Sequence, residues 1–170
     1  KGYGGMNFAL GIPGTVGGAI RMNAGTSKGW MSDRLFYIEV VNPMGAPKKV
    51  YKDHLIGAYR GLTWDTIAAA CDTYSPVILG GAFEFLPTAP GELTQEARRI
   101  LKTRRDGQPM LRRSAGCFFK NPSAETPAGR LIEQAGLKGM RRGGAVVSDK
   151  HANFILNTGR ATATDILELM

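Results

Sequence analysis

The chain has 170 residues, of which 43% are hydrophobic and 21% charged, an ordinary balance for a soluble globular protein able to bury a real core in one large domain or two small ones. Its apolar runs are short and broken by Gly, Pro or charge, which excludes a transmembrane helix and membrane insertion. Its two cysteines, Cys71 and Cys117, lie far apart outside any CxxC, and His54 and His151 lack metal-ligand spacing, so neither a disulfide framework nor a metal site is expected and the default compartment is the reducing cytoplasm.

The formal net charge of +8 poses a choice between a polyanionic partner and a basic but inert surface. Arg98, Arg99, Lys102, Arg104, Arg105, Arg112 and Arg113 fall in one stretch, and Arg141 and Arg142 form a second pair. No aromatic residue interleaves with the first stretch. The stacking platform of a single-strand binder is therefore missing, and compact phosphate contacts fit better than nucleic acid.

Residues 1–30 are Gly-rich, with Gly11, Gly14, Gly17, Gly18 and Gly25 as punctuation and Pro13 as a helix stop. A short helix is expected to start near Thr15, capped by its hydroxyl. Residues 35–41, LFYIEVV, read as a strand, Asn42-Pro-Met-Gly as a turn, and Lys48 to His54 as a second strand closing a hairpin. Residues 59–64, YRGLTW, read as a loop. Residues 76–86, PVILGGAFEFL, read as a buried strand with a bulge at Gly80-Gly81.

The composition shifts at Leu86-Pro-Thr-Ala-Pro-Gly, which places a domain boundary at 88/89. A helix follows, with Leu93, Ala97, Ile100 and Leu101 at helical spacing, and Gly107 and Pro109 end it. A second helix is expected to begin with Thr126 as cap residue and Pro127 at its first position, and to close at Gly136. Two short strands are expected at 144–148 and 153–157. Thr162-Ala-Thr-Asp165 is a capping box for a last helix. Helix and strand alternate irregularly around a hairpin, which indicates an α+β fold. Lys1 is not an initiator Met and the last helix meets the chain end, so a chain cut at both ends is expected.

Three motifs occur in series: GIPGTVGGAIRMNAG at 11–25, the Tyr59-Arg60 pair, and AGCFFKNP at 115–122 followed by AGRLIEQAGLKG and GGAVVSDKHANFILN. In this order they resemble the UDP-N-acetylenolpyruvoylglucosamine reductase family, also called MurB or UDP-N-acetylmuramate dehydrogenase. The resemblance implies part of a flavin-binding α+β domain in residues 1–88, and a connecting helix with a smaller, C-terminally truncated α+β substrate-binding domain in 89–170. It implies FAD as cofactor, NADPH as hydride source, and reduction of an enolpyruvyl UDP-sugar to a lactyl ether in peptidoglycan synthesis. Arg60 then looks like the arginine facing the enolate, a task suited to a permanently charged guanidinium. Cys117 stands at the proton-donor position, where many family members carry serine; a thiol is the more willing acid. Gly11, Ile12, Pro13, Gly14, Thr15, Gly17 and Gly18 look like a flavin-contacting segment. Tyr59, Arg104, Arg105, Lys120 and Asn121 look like substrate contacts, and His151 like a structural residue. The catalytic glutamate of the family has no assignable counterpart, so weak flavin binding and negligible turnover are expected of these residues alone. Other readings are a flavoprotein of the same fold with a different substrate, and a non-catalytic basic binding module.

Overall fold

The structure, a computed structural model, describes residues 2–41, 45–64 and 76–170. In chain order its strands are β1 (Tyr3–Gly4), β2 (Gly25–Thr26), β3 (Gly29–Trp30), β4 (Leu35–Val41), β5 (Pro47–Tyr51), β6 (Leu55–Ala58), β7 (Gly61–Trp64), β8 (Val77–Phe83), β9 (Leu86–Pro87), β10 (Arg141–Arg142), β11 (Ala145–Val147) and β12 (Ile155–Asn157). Its helices are α1 (Val16–Arg21), α2 (Pro90–Gly107), α3 (Ala128–Gln134) and α4 (Ala163–Leu169). The strand pairs are antiparallel, and the mixture is the α+β fold expected. The chain forms two compact units, Lys1–Ile100 and Leu101–Met170, and passes from one to the other within α2. The compositional boundary at 88/89 falls just before that helix begins.

In the first unit, β4 is the central strand of the sheet β5-β4-β8. Leu35 and Ile38 are both fully buried, although an odd spacing puts residues on opposite faces of a regular strand. A register shift resolves this: Leu35 faces Phe83 and Tyr37 faces Ala82, so Phe36 is the extra residue and the strand changes face there. A second shift, opposite Glu39 and Val40, leaves Leu79 as the extra residue of β8, beside Gly80, close to where the Gly-Gly pair implied a bulge. The β4–β5 hairpin forms as expected. Its turn at 42–44 lies outside the described residues, as does Cys71.

α1 packs its fully buried Ile20 into a core with Phe8, Met31, Leu35, Ile38, Val50, Leu62 and Trp64. The approach requires Gly81, where a Cβ would stand 3.1 Å from Ile20 Cδ1 and 3.2 Å from Leu35 Cδ2.

Three expectations for this unit need correction. β8 is not a buried strand: among the described residues it is an edge strand of its sheet, and Val77 and Leu79 are more than half exposed. The strand expected at 48–54 stops at Tyr51, because Lys52–His54 turn as a 3₁₀ segment into β6. Residues 59–64 are not a loop: Gly61–Trp64 pair with Leu55–Ala58, and only Tyr59 and Arg60 form the connection.

The second unit holds the end of α2, the meander β10-β11-β12, α3 and α4. Thr126 was expected to cap α3, but the helix starts at Ala128 and its cap residue is Pro127, so the Thr126 hydroxyl sits too early and pairs with Ser123 (2.8 Å). Asn121 Oδ1 takes over, accepting from the Ala128 N–H at 3.1 Å. At the other end Gly136, with φ +72°, forms the expected left-handed stop: its N–H donates to the Glu133 carbonyl and that of Leu137 to Ile132. The α4 capping box is also as expected, Thr162 Oγ1 accepting from Asp165 N–H (3.1 Å) and Asp165 Oδ2 from Thr162 N–H (2.9 Å). The same carboxylate accepts from the Gly144 N–H (3.1 Å), tying α4 to the sheet.

Candidate functional site

The Gly-rich run in the first unit is an exposed turn leading into α1, with only Ile12 packed on the core among residues 11–15. Gly11 and Gly14 adopt φ of +75° and +129°, which side chains rarely allow, and a Cβ at Gly14 would meet nothing within 4 Å. The first N–H groups of a helix have no partner inside it. Thr15 Oγ1 takes that of Gly18 (3.1 Å), as expected of its cap. The run therefore presents open backbone and little side chain.

Arg60 stands at the tip of the β6–β7 hairpin with φ +60°. A non-glycine residue in this region costs about 1–2 kcal/mol, and Arg60 holds it as the second residue of the two-residue connection, the position where a type II turn takes positive φ. The guanidinium lies 5.1 Å from the centroid of the Tyr59 ring, which meets Trp30 edge-on at 6.2 Å. Tyr59 thus touches the cation on one side and Trp30, edge-on, on the other. The hairpin is held by Asn23, 3% exposed, a residue that sequence reasoning missed. Its Nδ2 donates to the Ala58 carbonyl (3.1 Å), one residue before Tyr59, and its Oδ1 accepts from the Ser32 N–H (2.9 Å). Arg21 adds a bond to the Leu62 carbonyl (3.3 Å). The second half of the Gly-rich motif therefore anchors the hairpin that carries Arg60.

In the second unit, the loop from Cys117 to Asn121 runs beside the segment after β11. Cys117 and Phe154 form an isolated antiparallel bridge, and Phe118 N–H donates to the Asn153 carbonyl (3.1 Å). The Asn153 side chain then pairs with both backbone groups of Phe119, accepting its N–H (3.0 Å) and donating to its carbonyl (2.9 Å). Asn153 is buried, whereas Cys117 and Lys120 are exposed. Asn153 was also missed; the available signal was a polar residue inside the apolar stretch HANFIL. Asn121 has the structural task of capping α3 described above.

His151, read as structural, holds Asn153 in place: its Nδ1 accepts the Asn153 N–H at 3.3 Å, and its ring meets Phe154 at 4.8 Å. Burial is the main influence pulling its pKa below the ordinary histidine value.

Arg104 and Arg105 lie in the last turn of α2. Burial draws the Arg104 guanidinium below its usual value, and it remains a cation at neutral pH. Arg105 lines a cleft of about 330 Å³ with Gln108, Arg112, Asp149 and Lys150. Cys117, Lys120 and Asn121 do not line it. Among the described residues no cluster of His, Cys, Asp and Glu could hold a metal ion, and no helix is long and apolar enough to cross a membrane.

Comparison with known proteins bears on both units. Residues 108–170 match a family profile described as "UDP-N-acetylenolpyruvoylglucosamine reductase, C-terminal domain". The whole chain is 46% identical to a UDP-N-acetylenolpyruvoylglucosamine reductase of Desulfosudis oleivorans, covering 54% of that protein. It is 44% identical over 98% of its length to the corresponding protein of Syntrophobacter fumaroxidans, covering 46% of it. The crystal structure of UDP-N-acetylenolpyruvylglucosamine reductase (MurB) from Thermus caldophilus matches 99% of the chain with a TM-score of 0.86 and 39% identity, and the chain covers 59% of it. The chain thus spans about half the length of the curated relatives it matches. On these matches the chain belongs to the UDP-N-acetylenolpyruvoylglucosamine reductase family, with residues 108–170 forming the part described as its C-terminal domain.

Proposed function

We propose that this chain serves FAD-dependent, NADPH-driven reduction of UDP-N-acetylglucosamine enolpyruvate to UDP-N-acetylmuramate in peptidoglycan synthesis, in the cytoplasm. The observation that carries the reading is the Cys117–Asn121 loop: it lies inside the matched C-terminal domain, its backbone is pinned by Asn153, and its Cys117 and Lys120 side chains are exposed.

The residues fit a flavin in one respect that can be checked. The Gly11–Gly18 run offers open backbone at Gly14 and helix-start N–H groups, which suit close approach of a flat ring or a diphosphate. Gly11, Ile12, Pro13, Gly14, Thr15, Gly17 and Gly18 would hold it. When bound, FAD supplies hydride chemistry, with NADPH as the source.

Reduction of an enolpyruvyl double bond places negative charge on the substrate carboxylate before a proton arrives. Arg60 answers that charge with a guanidinium whose direction the Tyr59 ring and the hairpin restrict. Cys117 supplies the proton from its Sγ, a thiol being acidic enough to give it and basic enough to recover it near neutral pH. Lys120, Arg104 and Arg105 attract the diphosphate. Tyr59 and Asn121 act chiefly by fixing Arg60 and α3.

The test is calorimetric titration of the chain with UDP-N-acetylglucosamine enolpyruvate, repeated with an Arg105→Ala/Lys120→Ala variant and with added FAD. Saturable binding that the variant loses by at least about tenfold, roughly 1.4 kcal/mol, supports the reading. A folded chain that binds neither sugar nucleotide nor FAD refutes it for these 170 residues.

A further inference from the structure

The bonds around Phe119 have an unusual form. One side chain, that of Asn153, satisfies both the N–H and the carbonyl of a single residue, at 3.0 and 2.9 Å, while the backbone carbonyl of Asn153 takes the Phe118 N–H at 3.1 Å. This reproduces what a paired strand would provide, for a loop that contributes only an isolated bridge to the sheet. Among side chains of this length only a primary amide carries both a donor and an acceptor: aspartate lacks the donor, and leucine lacks both. At 3% exposure no water can readily replace it.

Asn153 is itself held from behind. Its N–H donates to His151 Nδ1, which must be unprotonated to accept. The imidazole has little room to turn. It packs on Phe154, and α3 approaches so closely that a Cβ at Gly129 would stand 3.1 Å from His151 Cε1. Glu133 of α3 and Lys138 just after it face the ring with opposite charges, and Asp149 and Lys150 precede it on its own segment.

We propose that Asn153, seated by neutral His151, is the positioning residue of the Cys117–Asn121 loop, and that protonation of His151 releases the loop. The functional meaning rests on the reading of that loop given above. Protonated Nδ1 turns an acceptor into a donor facing the Asn153 N–H, so the seat is lost. Because burial disfavours the imidazolium, the seat is intact at neutral pH and fails below the ordinary histidine range.

Amide hydrogen exchange on the 170-residue chain, read by NMR and corrected for intrinsic rates, tests this. The Val147 amide, bonded to the Met140 carbonyl at 2.9 Å, serves as the internal reference for the sheet. Asn153→Ala should raise exchange at Phe118 and Phe119 by about tenfold or more relative to Val147. In the unsubstituted chain, the same ratio should rise as His151 titrates, followed through its own Cε1 proton. His151→Phe should abolish that pH step.

A merely structural asparagine would move all three amides together and give no selective pH step; either result overturns the proposal. The unsubstituted pH series decides the matter even if Asn153→Ala fails to fold. Parallel titrations with UDP-N-acetylglucosamine enolpyruvate separate the two levels. Selective release of Phe119 with unchanged affinity upholds the latch and counts against the loop as a substrate site. Unchanged exchange overturns the latch whatever the affinity.

Discussion

Asn23→Ala probes the hairpin that carries Arg60. The wild-type amide accepts from Ser32 N–H at 2.9 Å and donates to the Ala58 carbonyl at 3.1 Å, from a site 3% exposed. Each partner left without a bond costs about 1–3 kcal/mol when buried. The Ala58 end counts near the bottom of that range, because Ala58 is exposed and water can reach its carbonyl. Asn23 also holds φ +40°, where alanine is worse than asparagine by about 1 kcal/mol. The sum is about 3–5 kcal/mol, a large share of the roughly 5–15 kcal/mol of a typical domain. Both tryptophans, Trp30 and Trp64, lie in the first unit, so fluorescence during urea unfolding reports on that unit. Asn23→Gly separates the contributions, since it removes the backbone strain but not the lost bonds, and should recover about 1 kcal/mol. A loss below about 0.5 kcal/mol for Asn23→Ala, or a glycine variant less stable than the alanine one, would refute the assignment of Asn23 as the anchor.

Asn121→Ala should cost about 1 kcal/mol in thermal unfolding through loss of the α3 cap, and Thr126→Ala well under that; the reverse order would restore Thr126 as the cap. Gly144→Ala should prevent the second unit from folding stably by circular dichroism, because the new Cβ would stand 2.4 Å from Ala161 N and 2.5 Å from Arg160 C, both backbone atoms. Asp165 has its carboxyl held below the usual aspartate value by hydrogen bonds from the N–H groups of Thr162 and Gly144. Its contribution is therefore present above the ordinary aspartate pKa and lost as pH falls through the lowered one, and Asp165→Asn should flatten that part of an acid-unfolding curve. Cys117, being exposed, should be alkylated by iodoacetamide without denaturant, and Cys117→Ser should abolish that fraction of the labelling.

Local chemistry was the part of this fold that could be read without coordinates. Thr15, Gly136 and the Thr162–Asp165 box act through bonds spanning only a few residues, so sequence spacing alone determines them. The β4–β5 hairpin followed from the strand-forming runs around a turn signal. The errors arose where a distant partner decides. YRGLTW looks like a loop until Leu55–Ala58 pairs with it, and Thr126 looks like a cap until Asn121, from outside the helix, takes the Ala128 N–H. PVILGGAF looks buried because its residues are apolar, yet the exposure of Val77 and Leu79 depends on β8 being an edge strand, which composition does not encode. Of the candidate site, the side chains suited to the chemistry were legible and their supports were not.

Those supports explain why the three motifs occur as a series. Asn23 belongs to the Gly-rich motif but bonds at Ala58, beside the Tyr59-Arg60 pair of the second motif. Asn153 belongs to the HANF segment but bonds at Phe119, inside AGCFFKNP. Each loop with a candidate reactive side chain is thus held by a buried amide from a remote part of the chain, near its own unit's core. Loops of two to five residues have too few internal bonds to hold a charged or acidic group in one direction, and a misplacement of about 1 Å can cost a hundredfold in rate. An amide from elsewhere supplies rigidity without adding charge beside the group it holds. On this view Asn23 and Asn153 are as much part of the candidate site as Arg60 and Cys117. Substitutions there should alter loop dynamics before they alter the chemistry of any side chain that could touch a substrate.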